Sequence, residues 1–544
     1  MSRLPRRALA RAAGLPVIAL CFVVSTATAG PATAAPAPTM PAGHPAVAGI
    51  DLERATISDL QRAMAGGRLS SVRLTAFYLQ RIRTFNPTLH AVIATNPDAL
   101  RLAAASDARR HRHATHGPMD GIPVLLKDNI DTSDRERTTA GSLALVDSHP
   151  TRDAGLVGRL RAAGAVILGK ANLSEWASIR SPKSTSGWSP IGGQTHNPYV
   201  LDRNPCGSSS GSAVAVSANL TTVAVGTETD GSVVCPSGAN GIVGIKPSLG
   251  LVSRGGLVPI TREQDTAGPM ARNVVDAAIL LAAMNGPDRR DPPTVDAVGH
   301  ALDDYTQFLR PDALRGKRIG LWRDVTAGRA LPETDALFDR AVAQLHRLGA
   351  STVDVTVPLE VIDANEFLAI HTEFKHDMNA YLATTPGNHP ADLAGLIRFD
   401  LDHAATEMPF WGQEIFISAQ AGSGDLNDAR YRQLRATATG AAQHALDDTL
   451  LANHLDAIVA PTNQPAWKTT YGPGDGGLLL ESSAPAAVSG YSNLTVPMGF
   501  VGPLPVGLSV MGGRFSEPTL LAIAYAFEQG TKARRAPTFL PTIG

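Results

Sequence analysis

The chain has 544 residues, a formal net charge of −1 and 44% hydrophobic residues. That is length and apolar content enough for a sizeable core, and the balanced charge excludes a polybasic nucleic-acid or membrane-surface binder. Only eight of the 48 basic residues are Lys, so the surface uses Arg for charge, and a Lys inside an apolar run calls for a specific explanation.

Residues 1–34 read as an export signal peptide. "MSRLPRRALARAAG" is basic, "LPVIALCFVV" is apolar but too short to span a bilayer, and "STATAGPATAA" offers cleavage after Ala29 or Ala34. The Arg6–Arg7 pair before Ala8–Leu9 leaves both the twin-arginine and the Sec route open. Cys21 follows Leu20, which is too large for a lipoprotein site. Residues 35–48 form a Pro/Ala linker. Two cysteines then remain, Cys206 and Cys235. Two separate buried thiols are the simpler expectation; a disulfide, permitted in an oxidising compartment, needs Cα atoms about 5.5 Å apart.

From "TISDLQRAMAGG" onward the pattern alternates. Two helical stretches come first, the earlier one starting at a Ser/Asp cap and stopping at Gly66–Gly67. "HAVIATN" and "GIPVLLKDNI" read as strands, and "GLVGRLRAAGAVILGKAN" as a helix, a Gly stop and a buried strand. Residues 290–450 are rich in Asp, His and Arg, helical in period and poor in strands; they are expected to form a helical cover that shapes a pocket. Strands return at "LDAIVAPT", "SNLTVPMGF" and "LPVGLSVMGG", before a last helix at "SEPTLLAIAYAFEQGTKA". Strand-forming sequence on both sides of the helical stretch predicts one α/β domain over 49–544, with a mixed β-sheet core covered by helices.

Three places carry chemistry. In "GIPVLLKDNI", Lys127 follows five apolar residues. A buried amine loses its charge more readily and can then accept a proton; the plainer reading is a strand-end Lys reaching solvent or Asp128. In "NPCGSSSGSAVAVSANL", a Gly/Ser run enters a helix, whose first N–H groups and dipole favour negative charge; the plainer reading is an N-cap. "GSSSG" also matches the nucleophile-elbow pattern around Ser209, yet "LDRNPC" precedes it where that pattern needs a strand. In "TTVAVGTETDGS", a strand runs into a Gly-containing turn and Ser232, a turn able to aim several N–H groups at one point.

In this order the three resemble the amidase signature family, whose mark is a Ser/Gly-rich segment followed by a G-T-D-x-G-G-S-type segment. Ser208 and Ser232 stand 24 residues apart, as the family requires. "GIVGIKP", "DTAGPMARNVVDAA", "APTNQPA" and "LPVGLSVMGG" extend the likeness, and "NLSEWAS", "GTETDGSVVCP" and "SGYSNLTVPMGF" are most similar to its bacterial peptide amidase branch. The resemblance implies the amidase signature fold and an exported amidase acting through an acyl-enzyme on C-terminal peptide amides. Its relay would be Ser232 as nucleophile, Ser208 as bridging serine after a cis peptide, and Lys127 as base. The backbone N–H groups of Thr229, Asp230, Gly231 and Ser232 would form the oxyanion hole. It implies no metal or organic cofactor; the balanced charge points away from a nucleic-acid partner, and no segment after the signal has 18 uninterrupted apolar residues, so no membrane association is expected after signal removal. None of the 15 His is then needed, and "HRHATH" at 111–116 reads as a polar surface run.

Two positions depart from the family pattern: Glu228 replaces its usual Asp, and Asp230 its first Gly. Asp230 either restricts the oxyanion turn and meets the substrate, or bonds locally. Other readings are an aryl-acylamide or fatty-amide hydrolase, a component of a cytoplasmic amidotransferase (against which the export signal stands), a non-catalytic amide-binding protein, and an esterase centred on Ser209.

Overall fold

A computed structural model describes residues 45–543 apart from 330 and 481. The expected signal peptide and most of the expected linker lie outside the described residues. The linker's last residues do have structure: Ala46–Val47 pairs antiparallel with Ile50–Asp51, and Val47 is buried. The fold therefore begins a few residues before 49.

One sheet organises the chain. Its strands are β1 (Val92–Thr95), β2 (Pro123–Lys127), β3 (Val166–Ala171), β4 (Val223–Glu228), β5 (Val243–Lys246), β6 (Thr266–Ala271), β7 (Arg318–Trp322), β8 (Ser351–Val355), β9 (Ala457–Pro461), β10 (Asn493–Val501) and β11 (Leu504–Met511). In space the order is β8-β7-β9-β11-β10-β5-β6-β4-β2-β3-β1. Strands β3, β2 and β4 are parallel, as are β9, β7 and β8, while the pairs from β4 through β6, β5, β10 and β11 to β9 are antiparallel. Strands β2, β3, β4, β6 and β9 are buried along their whole length, which is why they read as apolar runs without alternation. A single apolar cluster joins Val124, Val225, Ile245, Val459, Val496 and Val510, so early and late strands share one core.

Most elements fall where the periodicity puts them. The first helix, Ile57–Ala65, is capped by Thr56 in a box with Asp59 and stops at Gly66, so its cap lies before the predicted Ser/Asp pair. The larger difference concerns 290–450. Residues 318–355 are not cover: β7 and β8 flank the helix Pro332–Arg347 and extend the sheet parallel to β9. Strand β8 is a partly exposed edge with polar residues, so it lacks the buried run that marks the interior strands. The helical layer proper follows β8. Its helices Glu360–Thr384, Leu393–Asp402 and Glu414–Ala421 bury Phe374, Leu396 and Phe416 against Leu145, Trp176 and Ile260.

Strand β2 meets the short helix α1 (Ser210–Ser217), which in turn contacts a second, α2 (Val234–Ala239); each helix is wholly buried. Helix α1 packs backbone to backbone. A Cβ on Gly211 would come within 2.3 Å of Ala91 O, and one on Gly226 within 2.7 Å of Ser209 Oγ. The Gly in "SSSGS" is thus a contact requirement as well as a flexible joint.

Candidate active site

The register of β2 on β4 sets Leu126 opposite Val225, so Lys127 arrives beside Thr227. Lys127 is fully buried, and its Nζ lies 2.7 Å from Ser208 Oγ, 2.9 Å from Thr227 Oγ1 and 3.2 Å from Thr227 O. Desolvation pushes its pKa down to about 7, against the opposing pull of Asp265 and Glu228. Asn129 Nδ2 donates to Thr227 Oγ1 (3.0 Å) and fixes that hydroxyl.

Ser208 follows a cis peptide from Gly207 and is buried. Ser232 sits in the turn after β4. Its carbonyl accepts from Ser209 N (3.2 Å), which draws that turn onto the segment carrying Ser208. A disulfide between Cys206 and Cys235, with Cα atoms 6.0 Å apart, ties the same two segments covalently. It replaces the expected pair of free thiols: the residues lie 29 apart in sequence, and folding brings them together beside Ala239, Trp467 and Leu479.

Ser209 does not serve as an elbow nucleophile. It is fully buried, donates to Thr227 O (3.0 Å) and accepts from Thr227 N (3.1 Å). Its donor and one acceptor position are committed to the backbone of β4.

The turn 229–232 is held from several sides. One oxygen of buried Glu228 accepts from Val233 N (2.7 Å) and Val234 N (3.0 Å) at the start of α2, and its carboxylate also takes the Gly231 amide. Burial raises the Glu228 pKa, while Lys246 and these N–H groups oppose the rise. Glu228 thus does what an N-cap carboxylate does. Thr229 Oγ1 donates to Asp265 Oδ1 (2.6 Å), whose other oxygen accepts from Ile260 N (2.8 Å) and Thr261 N (3.1 Å). Desolvation pushes Asp265 up to about 7. Asp230 bonds to Ser483, far along the chain, and burial, together with the Glu366 carboxyl, holds its pKa well above the carboxylate range. Among the described residues, the amides of Thr229, Asp230 and Ser232 have no hydrogen-bond acceptor. Three N–H groups are thus free at the foot of Ser232, and Gly231, at φ 71°, shapes the bend that exposes them.

The helical layer reaches this turn through Gln264. Its Nε2 donates to Glu366 Oε1 (2.7 Å) and to Thr229 O (3.4 Å), and its Oε1 accepts from Arg435 Nη1 (2.6 Å). Arg435 in turn grips Glu373 with two N–H groups (2.7 and 2.5 Å).

Chemically, an amine near its neutral point, a serine hydroxyl bonded to it, a second serine on an adjoining turn and unpaired backbone N–H groups suit acyl transfer. The family model "Amidase" matches residues 73–521. The chain belongs to the amidase signature family. The crystal structure of native peptide amidase from Stenotrophomonas maltophilia is 48% identical, with a TM-score of 0.84 over 89% of this chain and 99% of that one. An amidase family protein from Bacillus anthracis is 34% identical, with a TM-score of 0.82 over 90% of this chain and 93% of that one. A "Probable amidase" of Arabidopsis thaliana is 43% identical over 90% of this chain and 93% of its own length. This amidase-signature enzyme is a hydrolase of amide C–N bonds that works through an acyl-enzyme.

Sequence reasoning passed over Glu228 as a cap, Asp265, Gln264 and two further buried lysines. Lys170 Nζ donates to Ile130 O (2.6 Å) and Thr138 Oγ1 (2.9 Å), and Lys246 Nζ to Ala486 O (2.8 Å) and Tyr491 O (2.5 Å). "VILGKAN" and "GIVGIKP" carry the same signal as "PVLLKDN": a Lys closing an apolar run. The run "HRHATH" is exposed.

Proposed function

We propose that the enzyme deamidates C-terminal peptide amides with Ser232 as nucleophile, Ser208 as bridge and Lys127 as base. The observation that carries the relay is the 2.7 Å contact between the desolvated Lys127 amine and Ser208 Oγ. Neutral Lys127 takes the Ser208 proton as Ser208 takes that of Ser232, and Ser232 Oγ adds to the amide carbonyl. The oxyanion lies against the free amides of the 229–232 turn. Collapse breaks the C–N bond, and the proton returns through Ser208 to the departing ammonia. Water then repeats the cycle against the ester and regenerates Ser232. No step needs a metal or cofactor.

The peptide-amide substrate is supported by the likeness to the Stenotrophomonas enzyme along nearly the whole chain. Export is supported by the Cys206–Cys235 disulfide, since such bonds persist in oxidising compartments. Among the described residues no helix is long and apolar enough to cross a membrane.

The test is ammonia release from an N-protected dipeptide amide by the mature protein, with Ser232→Ala as control. Release that disappears in the variant is expected. Release that persists in Ser232→Ala overturns the nucleophile; an anilide cleaved while the peptide amide is left intact overturns the substrate and not the relay.

A further inference from the structure

Away from the catalytic serines, a cleft of about 760 Å³ opens between the last helix, Glu517–Thr531, the start of the helix Val274–Met284 and the chain after 531. Arg54, Arg272, Lys532, Arg534 and Arg535 line it. The two acids in its wall are already engaged. Glu53 is paired with Arg534, and Glu528 accepts from Val274 N (3.0 Å).

Arg272 is the unusual member. It is only 4% exposed, and Nη1 donates to Val216 O (3.2 Å) and Thr221 O (2.8 Å). Its Nε and Nη2 have no partner among the described residues, and the same holds for Arg534 Nε. Asp276 feels the charge of Arg272, but that carboxylate's bonds go to Ile57 N (2.8 Å) and Asn273 Nδ2 (3.0 Å). A buried guanidinium with idle N–H groups is costly unless an anion meets it. Beside these charges the wall is apolar, through Val275, Pro497 and the ring of Tyr525.

We propose that this cleft binds an organic carboxylate, its charged end on Arg272 and Arg534 and its hydrocarbon on Tyr525, Val275 and Pro497. A planar carboxylate matches the guanidinium fork. A phosphate would gain nothing from the apolar wall. The ligand would also touch the catalytic half of the molecule indirectly. Arg272, Arg534 (to Ser217 O, 3.2 Å) and Arg81 (to Ala218 O, 2.9 Å) cap the carboxyl end of α1, a helix about 12 Å long whose other end begins two residues after Ser208.

Calorimetric titration of the whole mature protein tests this, with octanoate and an N-acetyl dipeptide carboxylate as the two sources of the group, and with octylamine and sulfate as controls. Saturable binding of at least one carboxylate is expected, with octylamine inert and affinity at least ten-fold weaker in both Arg272→Gln and Arg534→Gln. The better-bound carboxylate tells whether a free aliphatic acid or a peptide terminus is the natural class. Carboxylates that do not saturate, sulfate binding tighter than either, or unchanged affinity in the variants overturns the proposal. If Arg272→Gln fails to fold, as judged by circular dichroism, Arg534→Gln and Tyr525→Ala carry the comparison, with weaker octanoate binding expected in each.

Discussion

Burial takes the Lys127 amine out of water and brings its pKa down to about 7. Below that value the amine is protonated and accepts nothing; above it, Lys127 is neutral and the proposed relay can run. The kcat/KM for amide hydrolysis is therefore expected to climb with unit slope from about pH 5 and to level off above about pH 8. A flat pH–rate profile, with chemistry rate-limiting, contradicts Lys127 as base. Lys127→Ala is expected to lower kcat by about 10²–10⁴-fold in a folded enzyme, the range of a general base. Ser209→Ala separates the two adjacent serines. It removes a hydroxyl that makes two buried bonds, at about 1–3 kcal/mol of stability, while acyl-enzyme formation at Ser232 continues. A folded Ser209→Ala enzyme that forms no acyl-enzyme would restore the elbow reading.

At the scale of elements, the site is a junction of two segments that chain order keeps apart. One carries Cys206 and Ser208 into α1; the other carries Ser232 and Cys235 into α2. The disulfide closes a loop of 29 residues, which restricts the unfolded chain by about 3–4 kcal/mol in the chain-entropy account. Cys206→Ser with Cys235→Ser is expected to lower unfolding free energy by up to that amount in denaturant titration, and an unchanged midpoint would show that packing alone joins the segments. The helical layer is fastened by a different device. Arg435, on the helix Ala429–Ala452, and Glu373, on the helix Glu360–Thr384, form a buried bidentate pair. Arg435→Met leaves Glu373 buried without its cation, at about 3–5 kcal/mol. It also frees Gln264 beside Thr229. The expected result is a lower melting temperature and a reduced kcat; a change in KM alone would show that the layer binds substrate without holding the oxyanion turn.

Over the whole molecule, one sheet and one main apolar cluster join residues from 47 to 527. The alternation of helices and apolar strands makes this α/β architecture legible, because strands buried on both faces need continuous apolar runs. Strand β8 escapes that signal, since the sheet edge permits the exposed and polar residues seen in it, while β7 is a short buried run, Ile319–Trp322, inside a polar stretch. The site was legible in the same unequal way. Lys127 stands out by its apolar neighbours, and so do Lys170 and Lys246, which are equally buried. Those two amines donate to backbone carbonyls of Ile130, Ala486 and Tyr491, whereas Lys127 meets the hydroxyl of Ser208.

The sequence by itself determined the class of fold, several of the buried strands, and the three segments whose residue types suit acyl transfer, because hydrophobic period and turn chemistry are local properties. Which buried lysine faces a serine, which serine has a free hydroxyl, whether Cys206 meets Cys235 and which carboxylates clamp the 229–232 turn were decided only by the tertiary structure. Each depends on strand register and on contacts between residues far apart in the chain, and local sequence does not encode what will lie on the other side of a contact.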